Sequence, residues 1–158
     1  MLTRPATMAD LPVLQSLLQA VKLPLAGLES PLPFTLLTED QGQVLALAAL
    51  EVHGGICLLR SVAVHPDARQ LGLAWQLVTR VINHARALEL QDLYLLTTTA
   101  ETYFPRFGFQ AVPRGAAPRE LLASREFQDA CPEGATLMHL SLTASPPPAL
   151  NPSQGDRP

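Results

Sequence analysis

Apolar and polar residues alternate over short stretches in the first third of the chain. Residues 2–4 read as a short strand. Thr7 and Asp10 form a variant capping box that opens a helix running to about Lys22, with Pro12 tolerated in its first turn. Pro24, Pro31 and Pro33 then break the chain, leaving room only for a short second helix over 26–30. Apolar runs over 34–38 and 44–52, joined by Asp40-Gln41-Gly42, predict a hairpin. The pair Gly54-Gly55 predicts a second tight turn into a strand over 56–64.

The period then changes. Over 72–89, Ala74, Leu77, Val78, Val81, Ala85 and Leu88 fall on one helical face, with Gln76, Thr79, Arg80, Asn83 and Arg86 on the other. Residues 93–96 are apolar on both faces, as in a central strand beside a parallel neighbour. A short helix over 100–107, ended by Gly108, leads to a strand over 109–112. Helix is expected over 121–129 and a last strand over 135–142. The order describes a mixed α/β (α+β) domain around one sheet, with a single strand-helix-strand crossover at its centre.

Composition sharpens this outline. Of 158 residues, 47% are apolar and 16% charged, too apolar a chain for general disorder. Prolines Pro146, Pro147, Pro148, Pro152 and Pro158 crowd the end, so residues 1–143 are expected to form one domain and 144–158 a flexible Pro-rich tail. The net charge of −3, with no run of Lys or Arg, argues against a nucleic-acid partner. The longest apolar run, from Val44 to Leu50, is far short of the roughly 20 residues that cross a bilayer, so no membrane partner is expected. Pro12, Gln15, Ser16 and Gln19 interrupt the one stretch that could be taken for a signal-peptide core, which gives a cytoplasmic expectation. Cys57 and Cys131 have no metal spacing and read as two free thiols; no metal site is expected.

The most informative stretch runs from Leu59 to Ala74. A buried strand enters a loop at Pro66 and then a helix whose start carries Arg69, Gly72 and Ala74. Such a start offers unpaired N–H groups and the positive end of the helix dipole to an anion, and a pyrophosphate fits best. Tight packing of the helix on the sheet would use the same small residues. Neither the Walker pattern nor the dinucleotide glycine pattern is present.

Val64-His65-Pro66 and Arg69-Gln70-Leu71-Gly72-Leu73-Ala74 resemble the acetyl-CoA signature of the GNAT N-acetyltransferase superfamily. The stretch from Ala100 to Phe109, with its closing Gly108-Phe109, resembles a second family element, and Arg4 to Leu11 the family's first strand and helix. The resemblance covers roughly residues 2–142. It implies a mostly antiparallel sheet of six to seven strands with a splayed central parallel pair, flanked by helices. It also implies acetyl-CoA as cosubstrate, held by Val62, Ala63 and Val64 along the strand, by Arg69, Gln70, Leu71, Gly72, Leu73 and Ala74 at the helix start, and by Phe104. An amine would attack the thioester directly, with a fourth-strand N–H polarising the carbonyl.

The family's acid, a tyrosine, falls at Phe104 here. Tyr103, one residue earlier, is the remaining candidate, or else a packing or substrate-wall residue. Some members use a glutamate base where Leu58 stands; Glu51 is the best remaining carboxylate, with a water relay as the other route. By alternation Glu51 shares a face with Leu47 and Ala49. The finer resemblance is to amino-acid N-acetyltransferases, including N-acetylglutamate synthases, and more closely to the arsenic-resistance N-acetyltransferases. It implies a small amino-acid-like amine as substrate, including glutamate-like toxins. Arg60, a charge inside an apolar strand, needs an acidic partner, either Glu51 or a substrate carboxylate. Arg60, Ser61, Thr97 and Thr98 are the candidate substrate contacts. Protein lysines or N-termini as acceptors, and a non-catalytic acyl-CoA-binding domain, are the competing readings; a homodimer is left open.

Overall fold

The computed structural model describes residues 1–29, 32–98, 100–124 and 134–143. Within them, strands β1 (Leu2–Pro5), β2 (Phe34–Asp40), β3 (Gln43–His53), β4 (Ile56–Val64), β5 (Asp92–Thr97), β6 (Gln110–Val112) and β7 (Thr136–Ser141) form one sheet in the order β1-β2-β3-β4-β5-β7-β6. Neighbouring strands are antiparallel except β4 and β5, which are parallel and joined through helix α2 (Leu73–Ala87).

The apolar periodicity sets what covers each face. On one face α2 buries Leu77, Val78, Val81 and Ala85 in a cluster with Ala46, Ala48 and Leu50 of β3, Leu59 of β4 and Leu93 and Leu95 of β5. On the other face, helix α1 (Leu11–Ala20) buries Leu14, Leu17 and Leu18 against Leu37, Leu47, Ala49 and Ala63. A smaller cluster, Ile56, Leu58, Leu121 and Leu137, is distinct from it. Covered on both faces, β4 is buried along its whole length. No helix among the described residues is long and apolar enough to cross a membrane.

Two irregularities shape the centre of the sheet. Ala49 pairs with Arg60 and Leu47 with Ala63, so β4 spends Ser61 and Val62 opposite the single residue Ala48. This is a bulge, and Ser61 sits in it with φ of 58°, a left-handed conformation unusual for a residue with a side chain. The β4–β5 register covers only Ile56↔Asp92, Cys57↔Leu93 and Leu58↔Tyr94. Beyond that point the two strands run on without pairing, and a wedge opens between residues 59–64 and 95–97.

The expected helices need correction in three places. There is no helix at 26–29: residues 25–28 make a turn closed by Leu28 N–H to Leu25 O at 3.0 Å, with Gly27 at φ of 88°. Pro24 withholds a donor there, and the Ala26 carbonyl points to Arg60 instead of along a helix. The helix expected over 100–107 is a turn followed by a 3₁₀ helix, Phe104–Phe107, because Pro105 fits only at a helix start. The described part of the segment expected over 121–129 is a 3₁₀ helix, Arg119–Ala123; its remainder, Cys131 and the tail over 144–158 lie outside the described residues.

Candidate active site

The wedge leads directly to the start of α2. After β4, His65 N–H binds Leu45 O at 2.7 Å, and the His65 ring accepts the Asp67 N–H at 3.1 Å, fixing a 3₁₀ turn, Pro66–Ala68. Gly72 then adopts φ of 71° as the N-cap of α2. Gly reaches this left-handed conformation without the steric cost a side chain brings, so the backbone favours glycine at 72. The first helical bond is Gln76 N–H to Gly72 O at 3.2 Å, which leaves the N–H groups of Leu73, Ala74 and Trp75 without intrahelical acceptors. Leu71 is different: its N–H is taken by Ala68 O at 3.2 Å and its side chain is exposed, so it is removed from the expected set of anion donors. The Leu73 and Ala74 side chains face the core and offer only their backbone.

Arg69 supplies a test of fit. Its Nε is buried and has no hydrogen-bond partner among the described residues, beside a helix start with open donors. A buried guanidinium nitrogen without an acceptor is costly, and an anionic group seated here would satisfy it. A pyrophosphate at the helix start with an extended arm in the β4–β5 wedge therefore suits the residues present. Val62, Ala63 and Val64, all buried, form the β4 side of that wedge.

The opposite face of β3 and β4 holds a charged row between apolar clusters. Arg60, 2% exposed, donates from Nη1 to Glu51 Oε2 at 2.8 Å and to Ala26 O, from Nη2 to Pro24 O at 3.4 Å, and from Nε to Ser61 Oγ at 3.0 Å. Of the two partners foreseen for Arg60, the internal one, Glu51, is in place. The same guanidinium fastens the loop after α1 to the bulge of β4. Glu51 Oε1 accepts from His53 Nε2 at 2.9 Å. Burial alone would raise the Glu51 carboxyl, but hydrogen bonds from Arg60, His53 and Ser124 outweigh it and hold the group below the usual carboxylate range.

The remaining expected residues lie elsewhere. Tyr103 is buried in an aromatic cluster, edge-on to Phe104 at 5.2 Å and to Phe107 at 5.6 Å, with the Arg106 guanidinium 5.4 Å from its ring centre. Phe104 is buried in the same cluster, against Phe109. Thr97 Oγ1 accepts the Ala100 N–H at 2.9 Å and thereby caps the turn after β5, whereas Thr98 is exposed. Four participants lie outside the expected set: His53, Ser124 and the carbonyls of Pro24 and Ala26. Alternation along β3 would have placed His53 on the face of Glu51; nothing local marks the others.

A sheet with a splayed parallel pair, a bulged strand beside the wedge and an anion-ready helix start define an acyl-CoA-type acyltransferase fold. Residues 33–111 match the family model described as acetyltransferase (GNAT) domain, and the chain belongs to that family. The chain is 37% identical over 67 residues to an amino-acid acetyltransferase of Edwardsiella ictaluri, covering 42% of this chain and 15% of that protein. It is 29% identical over 116 residues to an amino-acid acetyltransferase of Pasteurella multocida, covering 68% of this chain and 26% of that protein. The chain thus spans about a quarter or less of the length of the curated relatives it matches. Among solved structures, the N-acetylglutamate synthase of Neisseria gonorrhoeae, complexed with coenzyme A and N-acetyl-glutamate, shares the fold with a TM-score of 0.73 and 19% identity, over 90% of this chain and 35% of that one.

Proposed function

We propose that this protein transfers an acetyl group from acetyl-CoA to the amine of a small amino-acid-like acceptor, with a glutamate-like amino acid or toxin as the favoured class. The observation that carries the reading is the β4–β5 wedge running into the start of α2, where Gly72 and open N–H groups stand three residues after Arg69, whose buried Nε has no partner among the described residues. Acetyl-CoA supplies the activated acyl group when bound. The N–H groups of Leu73 and Ala74 and the Arg69 side chain take the pyrophosphate, and β4 backbone groups not used by β3 hold the arm and polarise the carbonyl.

The acceptor side is the face of Glu51, Arg60 and Ser61. The names of the two amino-acid acetyltransferase relatives favour an amino acid over a protein acceptor. With Arg60 bonded to Glu51, Ala26, Pro24 and Ser61, it acts on the acceptor by fixing the loop over 24–28 rather than as a free fork. Incubation with acetyl-CoA and a panel of amino acids, following free thiol, tests the proposal. Release that requires an α-amino acid supports it; tight CoA binding with no release for any amine contradicts it.

A further inference from the structure

Glu51 is poorly suited to accept a proton. Both carboxylate oxygens are engaged, one by a buried guanidinium, and taking a proton would break that pair in a place where a lone charge is expensive. His53 has the complementary character. An ionised carboxylate can only accept, so in the 2.9 Å contact His53 Nε2 carries the hydrogen, and Nδ1 is the basic nitrogen of the neutral ring. The ring is partly open, its side chain 19% exposed against 11% for Glu51. Alternation sets it on the face of Glu51, and the register sets it opposite Ile56, two residues along β4 from the last β4–β5 pair at Leu58.

An imidazole oriented by a carboxylate that is itself fixed by a third group is the general arrangement of a positioned base. We propose that His53, oriented by Glu51 and through it by Arg60, is the base that deprotonates the incoming ammonium. The inference rests on the acetyl-transfer reading above. In the step, the substrate ammonium gives one proton to His53 Nδ1, leaving a free amine and an imidazolium stabilised by Glu51. The amine nitrogen bonds to the thioester carbonyl carbon, the C–S bond breaks, and a second N–H proton ends on the departing sulfur. The imidazolium then returns its proton to water. Among the described residues, the charged and titratable groups around this end of the sheet are Glu51 on β3 and Arg60 on β4. Glu120 comes from the 3₁₀ helix Arg119–Ala123, close to Gly54, and Tyr94, Asp92 and His139 lie on β5 and β7.

His53→Gln keeps a donor for Glu51 but has no basic nitrogen, so it separates orientation from proton acceptance. The variant is expected to bind acetyl-CoA as the wild type does and to lose roughly 100-fold in kcat, together with the acid limb of the pH–rate profile. Added imidazole is expected to restore part of the rate in His53→Ala. A folded His53→Gln protein within about threefold of the wild-type kcat, with an unchanged pH profile, overturns the assignment to His53 alone. Wild-type protein that releases no thiol with any amine overturns it together with the acetyl-transfer reading. Independently of any variant, the wild-type His53 ring is expected in the Nε2–H form in ¹⁵N spectra; the Nδ1–H form contradicts the proposal.

Discussion

Arg60 and Glu51 meet at 2.8 Å across the β3–β4 pair, with the arginine side chain wholly shielded from solvent and the carboxylate nearly so. A pair this buried is held by mutual satisfaction more than by net attraction, since each charge has given up its hydration. Removing one partner is therefore far worse than removing both. Arg60→Ala is expected to cost roughly 3–5 kcal/mol in denaturant unfolding, and the double variant Arg60→Met with Glu51→Leu substantially less than the single changes combined. Additive losses would show that the two charges are not coupled.

The same pair sets a pH dependence. The Glu51 carboxyl lies below its ordinary value in the folded protein, so the folded state binds fewer protons than the unfolded chain once the pH nears the usual glutamate value of about 4.3. The stabilisation is present in full above that pH and is lost as the pH falls below it toward the folded value. Melting temperature is expected to hold steady above about pH 5 and to drop on further acidification, with a shallower drop in Glu51→Gln. Asp10, held low by Arg4 and by the Thr7 N–H, titrates in the same direction, and Asp10→Asn separates its share.

Most strand positions and both long helices were legible because their apolar periods are clean: Leu77, Val78, Val81 and Ala85 could only face the sheet together, and 56–64 is apolar enough to be buried on both faces. The Gly72 turn was legible for the same kind of local reason. What could not be read depends on distant partners. The turn over 25–28 takes its shape from Arg60, which is more than thirty residues away, and the bulge at Ser61 from a register that only the paired strand defines. Pro105 marked the weakness of the segment before Gly108 and sets its 3₁₀ geometry, yet the turn ahead of it depends on Thr97, whose hydroxyl accepts the Ala100 N–H.

That turn gives a local test. The Thr97 hydroxyl satisfies the buried Ala100 N–H at 2.9 Å. Thr97→Val keeps the shape and removes the acceptor, so it should cost about 1–3 kcal/mol, while Thr97→Ser should be close to wild type. Unfolding curves decide it: equal stability of the valine and serine variants would mean that the hydroxyl does not cap the turn.

Gly27 makes a second. At φ of 88° its missing side chain lies against Arg60 Nη1, and a Cβ there would also come within 3.3 Å of Glu51 Oε2. Gly27→Ala is expected to destabilise the protein by more than about 1 kcal/mol and to raise the acceptor KM more than the acetyl-CoA KM. An alanine variant as stable as the wild type would separate the loop from the Arg60 pair.

Cys57 should be chemically silent. Burial, with a smaller contribution from Asp92, pushes its thiol up to about 12, so little thiolate forms near neutral pH. In a Cys131→Ala protein, a maleimide at pH 8 is expected to label nothing until denaturant is added. Rapid labelling of the native form would contradict the buried placement of Cys57.

We propose acetyl transfer from CoA to a small amino acid through the β4–β5 wedge. Its most direct test is thiol release from acetyl-CoA by the wild-type protein across a panel of free amino acids, glutamate-like compounds and N-terminal peptides. Release driven by free amino acids, greatest with glutamate-like ones, with N-acetylated product, is the expected result. Release driven only by peptides, or none despite saturating acetyl-CoA binding, would contradict it.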